Sequence, residues 1–349
     1  VAFMGLEIII TLLLGSLLFR LGMVFGKVLL RNGATANDLF KGKSWISLAF
    51  LGFYFALLIL TLNVPQMQIL PLEWRFYGMQ VSWTLLRVIL LGICGMAFTV
   101  SWYTARSQII AVVLLALLGL GAFTSAEAYF LAPIYSSLED NLQPNGVFKQ
   151  TSTSSCAPAA LATLLRRWGL DSTESSVARL AGTSRMGTSM PQLIVAAKAL
   201  GMDAIELGPT WEQMQQINRP GVLAVWLFSG VRKLPHAVAL LALSSDTATI
   251  ADPARGKIFQ LDRTVFAKVW RHQYLPIFRP QDIYLTPPQA ADYLHRLGYL
   301  QTAQSFGDLK KAILSFQKAE GLKANGELDP QTVLLLSGAF LQGVPTLSK

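Results

Sequence analysis

Gln150–Gly169 reads QTSTSSCAPAALATLLRRWG. A run of Ser and Thr gives way at Cys156 to helical spacing, Pro158 stands in the first turn, and Gly169 ends the helix. The Cys156 sulfur is thereby placed at a helix N-terminus, whose partial positive charge favours a thiolate. A lone Cys is more often an inert small packing residue, so this stretch alone leaves two readings open. Helical patterns follow at Glu174–Leu180 and Met190–Gly201, then strand-like runs at Ala204–Leu207, Gly221–Phe228, Ala237–Leu243 and Thr247–Asp252. Helices first and strands later predict an α+β unit ending near Pro280.

Outward from this unit the composition changes. The chain has 349 residues, 52% hydrophobic and 14% charged, with a mean hydropathy of +0.44. An ordinary soluble domain carries about 25% charged residues, so an all-soluble chain is excluded. Residues 1–135 hold 8 Lys+Arg and 4 Asp+Glu, and residues 136–349 hold 21 and 16. The front is a membrane block and the back a mildly basic soluble region. The basic residues form no run, which speaks against nucleic acid. The two Cys, at 94 and 156, have neither metal-ligand nor redox spacing.

Four stretches reach the ~20 apolar residues that a bilayer requires: 3–26, 45–64, 81–102 and 109–130. The first is followed by Lys27 and Arg31 without a small-residue cleavage site, and reads as a retained span. Trp45, Trp83, Trp102 and Tyr103 stand near span ends, where amphipathic rings favour the interface. Lys27, Arg31, Lys41 and Lys43 lie in the first loop, Arg75 in the second and Arg106 in the third. From the end of the fourth span onward come Glu127, Glu139 and Asp140 before any Lys. With the positive loops inside, both termini and everything after Tyr135 lie outside. Arg20 and Arg87 fall within spans, where they either mark function or snorkel. Cys94 reads as a packing residue.

The soluble region holds three His, at 236, 272 and 295. Folding the strands around Ser245–Asp246 brings residue 236 opposite about 255, so His236 and Asp252 fall near one end of neighbouring strands. A carboxylate there orients an imidazole and a facing Cys receives it, the nucleophile–base–orienter arrangement. Spacing leaves equally open a surface His and a turn Asp before Pro253. His272 and His295 read as surface residues.

The strings QTSTSSCAPAALATLLRRWG, LAGTSRMGTSMPQLIVAAKALGMDAIEL, PHAVALL and IADPARGKIFQL together resemble the papain-like peptidases that cleave double-glycine leaders from bacteriocin precursors. The resemblance covers about Val147–Pro280. It implies Cys156 as nucleophile, His236 as general base, Asp252 as its orienter and Gln150 as side-chain oxyanion donor, with Phe266 and Trp270 at the aromatic end of the domain. It requires neither metal nor other cofactor. The family's usual Asp-Cys-Gly is here Ser155-Cys156-Ala157. Many members are fused to an ATP-driven exporter; this chain has no GxxxxGK[ST] phosphate loop, so no ATP is expected. Residues 287–340 carry three helical runs, with Leu309, Ile313 and Phe316 on one face and Asp308 and Asp329 as N-caps. Their LGYL, AILSFQKAEGL, NGELD and QT elements resemble the three-helix bacterial peptidoglycan-binding domain. A helical cap on the peptidase is the alternative.

The expected architecture is a membrane-anchored multidomain chain. It comprises a four-helix transmembrane block (1–135), a linker (136–149), an α+β papain-like cysteine peptidase domain (150–281) and a small three-helix peptidoglycan-binding domain (284–338). The expected function is an extracytoplasmic endopeptidase of the bacterial inner membrane, multi-pass, cleaving a protein or peptide by Cys-His-Asp acyl transfer while tethered to peptidoglycan. Alternatives are a non-catalytic scaffold gripping a partner of a secretion apparatus, and hydrolysis of the wall's own peptides.

Overall fold

A computed structural model describes residues 2–35, 45–63, 72–229, 232–301 and 306–348. The chain divides into two units, Val1–Ala132 and Pro133–Lys349.

The first unit contains α1 (Ala2–Arg31), α2 (Trp45–Asn63), α3 (Leu72–Thr104) and α4 (Ile109–Phe130). Among the described residues three stretches are long and apolar enough to cross a membrane: Ile9–Arg31, Val81–Thr104 and Arg106–Phe130. Three of the four expected spans are found in these stretches, and the fourth stretch, 45–64, forms α2 with 19 residues over 45–63. Val64, Lys41 and Lys43 lie outside the described residues. Helices α1 and α3 pack through glycine. A Cβ at Gly22 would strike the Gly92 carbonyl, and one at Gly95 the Phe19 carbonyl, so small residues are what permit this close approach.

One expectation for the membrane block changes. Trp83 is buried, its ring 5.3 Å from Phe123. Arg87 on α3 donates from Nη2 to Glu127 Oε2, and Glu127 lies within α4 rather than beyond it. Arg87 therefore neutralises a carboxylate inside the helix pair, while Arg20 is exposed along α1.

The second unit begins with a short hairpin, β1 (Asn141–Leu142) and β2 (Phe148–Lys149), within the stretch read as a linker. Helices α5 (Cys156–Arg167), α6 (Glu174–Ala181) and α7 (Met190–Ala199) follow. Then come β3 (Asp203–Ala204), α8 (Trp211–Ile217), β4 (Gly221–Ser229), β5 (Arg232–Leu243), β6 (Thr247–Asp252), β7 (Lys257–Asp262), α9 (Arg263–Val269) and β8 (Trp270–Phe278). The sheet has the order β3-β8-β4-β5-β6-β7, and each neighbouring pair is antiparallel. The tail supplies α10 (Pro287–Arg296), α11 (Phe306–Ala319) and α12 (Pro330–Ser337). Asp329 caps α12 through the Thr332 N–H. Asp308 lies inside the first turn of α11 instead of capping it.

The tail helices share one hydrophobic core with the sheet. Trp211, Phe266, Trp270 and Tyr274 belong to the same buried cluster as Leu294, Phe316 and Leu334. Arg219, fully buried, spans the junction: its guanidinium donates to the Ile217 and Leu334 carbonyls and to Ser337 Oγ. Asn218 adds a bond to the Gly338 carbonyl.

Two outcomes follow from these contacts. Glu127→Leu should destabilise the helix pair by about 3 kcal/mol by removing the carboxylate that Arg87 pairs with, and Arg87→Met with Glu127→Leu should recover most of it; SDS titration of the detergent-solubilised chain measures both. Arg219→Ala should cost about 2–4 kcal/mol, since it leaves carbonyls unpaired and opens a void. A thermal melt of the second unit checks it.

Candidate active site

Helix α5 begins at Cys156 because Ser155 is non-helical, with φ −108° and ψ 14°. The Ser155 side chain does not cap the helix. Its Oγ turns back to donate to the Ser152 carbonyl, 2.9 Å away, and to accept from Ser152 N at 3.1 Å. Pro158 has no N–H to satisfy. The first-turn amides beside the half-buried Cys156 therefore remain uncapped by Ser155, a setting suited to negative charge.

His236 stands on β5 opposite Val225 of β4. Asp252 ends β6. Near the turn the β5–β6 register is that of a tight fold around Ser245–Asp246, with Leu243 opposite Ala248 and Ala242 opposite Thr249. A bulge between Leu240 and Ala242 then shifts the pairing by one, setting Ala239 opposite Ala251. His236 Nε2 and Asp252 Oδ1 end 2.8 Å apart, both residues buried. With Nε2 engaged by the carboxylate, Nδ1 is the ring nitrogen left for Cys156, whose side chain acts on the ring's proton affinity.

Burial works against a charged His236, but the hydrogen bond to Asp252, the Cys156 side chain and the charges of both raise its pKa to about 9. Burial likewise opposes the Asp252 charge. Here the His236 bond and charge, the Ala254 N–H and Arg255 prevail, and the carboxyl is held below its usual range. Asp252 Oδ1 accepts the Ala254 N–H at 2.9 Å, fixing the turn that carries it.

Gln150 is tied to that same turn, its N–H donating to the Pro253 carbonyl at 2.9 Å. Its side-chain Nε2 donates one hydrogen to the Ser152 carbonyl at 2.8 Å, and its Oε1 is buried without a hydrogen-bond partner. The structure thus brings Cys156, His236 and Asp252 together, with Gln150 on the loop leading into Cys156. His272 and His295 are exposed. Phe266 and Trp270 meet in the core, their rings tilted and their centroids 5.4 Å apart.

Sequence reasoning missed Glu174. Its carboxylate is fully buried beside the loop, accepting from Thr151 N at 2.9 Å and Thr151 Oγ1 at 3.0 Å. An acidic residue in a first helical turn is ordinary, so nothing in the sequence distinguished it.

Residues 145–282 match the Peptidase C39 family, and residues 288–336 match the peptidoglycan binding domain. An uncharacterized protein of Methanothermobacter marburgensis is 35% identical over 136 residues, covering 39% of this chain and 90% of that relative. The chain belongs to the peptidase C39 family. The lactococcin-G-processing and transport ATP-binding protein LagD of Lactococcus lactis subsp. lactis is 30% identical over 124 residues, 36% of this chain but 17% of LagD. Among solved structures, the peptidase domain of Streptococcus ComA, a bi-functional ABC transporter, aligns with TM-score 0.35 and 21% identity, over 38% of this chain and 98% of that domain. The C39 match contains Gln150, Cys156, His236 and Asp252, and the peptidoglycan-binding match contains the Asp329 cap and all of α12 but its last residue.

The folded-state pKa of His236 is raised, so its protonated form stabilises the C39 domain fully below about 6.5, and this stability is lost as pH rises through about 9. Asp252→Asn should move the midpoint from about 9 back toward 6.5, as read by NMR titration of the His236 ring. The same variant should flatten the dependence of the melting temperature on pH across that window.

Proposed function

We propose that this C39 protein is a membrane-bound, extracytoplasmic cysteine endopeptidase that cleaves a protein or peptide substrate while tethered to peptidoglycan. The observation that carries the reading is the buried His236–Asp252 pair against Cys156 at the start of α5. His236 takes the Cys156 proton and the thiolate attacks the scissile carbonyl, forming a tetrahedral adduct. The Cys156 N–H and the second N–H of Gln150 Nε2 hold the oxyanion, each donor contributing about 10²–10³ in rate. Imidazolium Nδ1 then protonates the leaving amine, and water, deprotonated by His236, releases the acyl group and restores the thiol. Asp252 keeps the ring oriented throughout.

Helix α2, composed of WISLAFLGFYFALLILTLN, completes four spans in this reading. Both chain ends and the C39 domain then lie outside, on the side where peptidoglycan is found. The charge distribution of the loops and the peptidoglycan-binding match support this sidedness independently. Partners are a peptide or protein substrate, the wall and the lipid bilayer. ATP is not required.

Cys156→Ala should abolish cleavage, a loss of about 10⁶ in rate. Comparing new N-termini in envelope protein from cells with the wild-type and substituted chain measures it. A substituted chain that functions normally would instead establish a non-catalytic scaffold, and cleavage of purified muropeptides would identify the wall itself as substrate. For sidedness, Cys156 in a Cys94→Ala background should react with a membrane-impermeant maleimide in sealed spheroplasts.

A further inference from the structure

The loop from Gln150 to Cys156 carries the proposed oxyanion donor at one end and the nucleophile at the other, yet it has no regular secondary structure. Glu174 reaches both ends. Its two carboxylate oxygens accept the N–H and the hydroxyl of Thr151, next to Gln150. The Ser155 side chain, next to Cys156, acts on the same carboxylate electrostatically. Glu174 is fully buried, and among the described residues no cation pairs with it. Burial pushes its carboxyl above the usual range, with Asp140 adding to this, while Ser155 and Thr151 pull it back.

Helix α6 does not need this carboxylate as a cap. Thr173 already receives the Ser176 N–H, and Asp140 accepts the Ser175 N–H at 2.6 Å. An acid retained in the interior without a cation, with its bonds directed to one loop, has that loop as its purpose. Resting on the acyl-transfer reading above, we propose that Glu174 is the positioning residue of the nucleophile loop, acting through Thr151 and Ser155 on Gln150 and Cys156.

The test uses the full chain in detergent with Cys94→Ala, so that Cys156 is the one thiol, and iodoacetamide as probe at neutral pH. Glu174→Ala should slow alkylation by about tenfold, the scale expected when a reacting group is misplaced by a fraction of an ångström. Glu174→Gln keeps an acceptor for the Thr151 N–H and should stay within about twofold of the parent. A Glu174→Ala chain that melts as the parent does and alkylates at the parent rate overturns the proposal, as does a Gln variant as slow as the Ala variant. Should Glu174→Ala fail to fold, Thr151→Val, which removes only the hydroxyl, carries the test, and an unchanged rate overturns it. His236→Ala separates the two levels. A slowed His236→Ala beside an unaffected Glu174→Ala removes the positioning role alone, whereas an unaffected His236→Ala removes the Cys–His pairing and the proposal with it.

Discussion

Helix α5 meets the sheet on alanine. Ala157, Ala159, Ala160 and Ala162 of α5 are buried, as are Ala224, Ala237, Ala239 and Ala251 of the strands, and α5 packs on β5 with further contacts to β4 and β6. Single methyl groups let helix and strand backbones approach closely, and a dense interior transmits any displacement to whatever is attached. What is attached here is Cys156 at the helix start and His236 on the strand. Larger side chains in that seam would lift the helix and open the gap between thiol and imidazole. Thr163 secures the opposite side of the helix turn, donating to the Ala159 carbonyl and accepting the Phe148 N–H. The bond from Gln150 N–H to the Pro253 carbonyl joins the cysteine loop to the aspartate turn.

Against that apolar seam the buried charges among the described residues of the second unit find partners in different ways. His236 and Asp252 satisfy one another. Glu174 is met by N–H and hydroxyl donors. Arg219 is met by carbonyls and a Ser hydroxyl, with burial lowering its pKa despite the opposing influence of Asp282 and Tyr274. Buried ions are poor sources of net stability, because desolvation cancels most of what they gain. Their common property here is geometric: each is held by partners at fixed positions, and a shifted loop or helix would take those partners away.

The legible parts of the sequence were those set by local rules. Cys156 at a coil-to-helix boundary, the hairpin at Ser245–Asp246 and the Asp329 cap all follow from a few neighbouring residues. The hairpin register was legible to within one residue, and the bulge after Leu240 accounts for that residue. Pairings between distant segments were not legible. Arg87 and Glu127 are 40 residues apart, and neither signals the other until α3 and α4 are side by side. Strand β8, WRHQYLPIF, was missed because its alternation is broken by a Pro and by His272, which adopts φ 56° at the β4–β8 irregularity. The amphipathic tail helices announced apolar faces, but an apolar face does not name its partner. That partner is partly the sheet itself.

A module on a flexible linker only raises the local concentration of its neighbour near the ligand. Here Gln213 Nε2 donates to the Glu320 carbonyl, Leu243 N–H to the Leu347 carbonyl, and a side chain at Gly338 would strike the Gln216 carbonyl. The tail is thus keyed to α8 and to the end of β5, the strand that carries His236 at its other end. Peptidoglycan held by such a tail would fix the orientation of the C39 domain as well as its distance from the wall. A substrate would then have to arrive from the side on which the half-buried Cys156 reaches solvent.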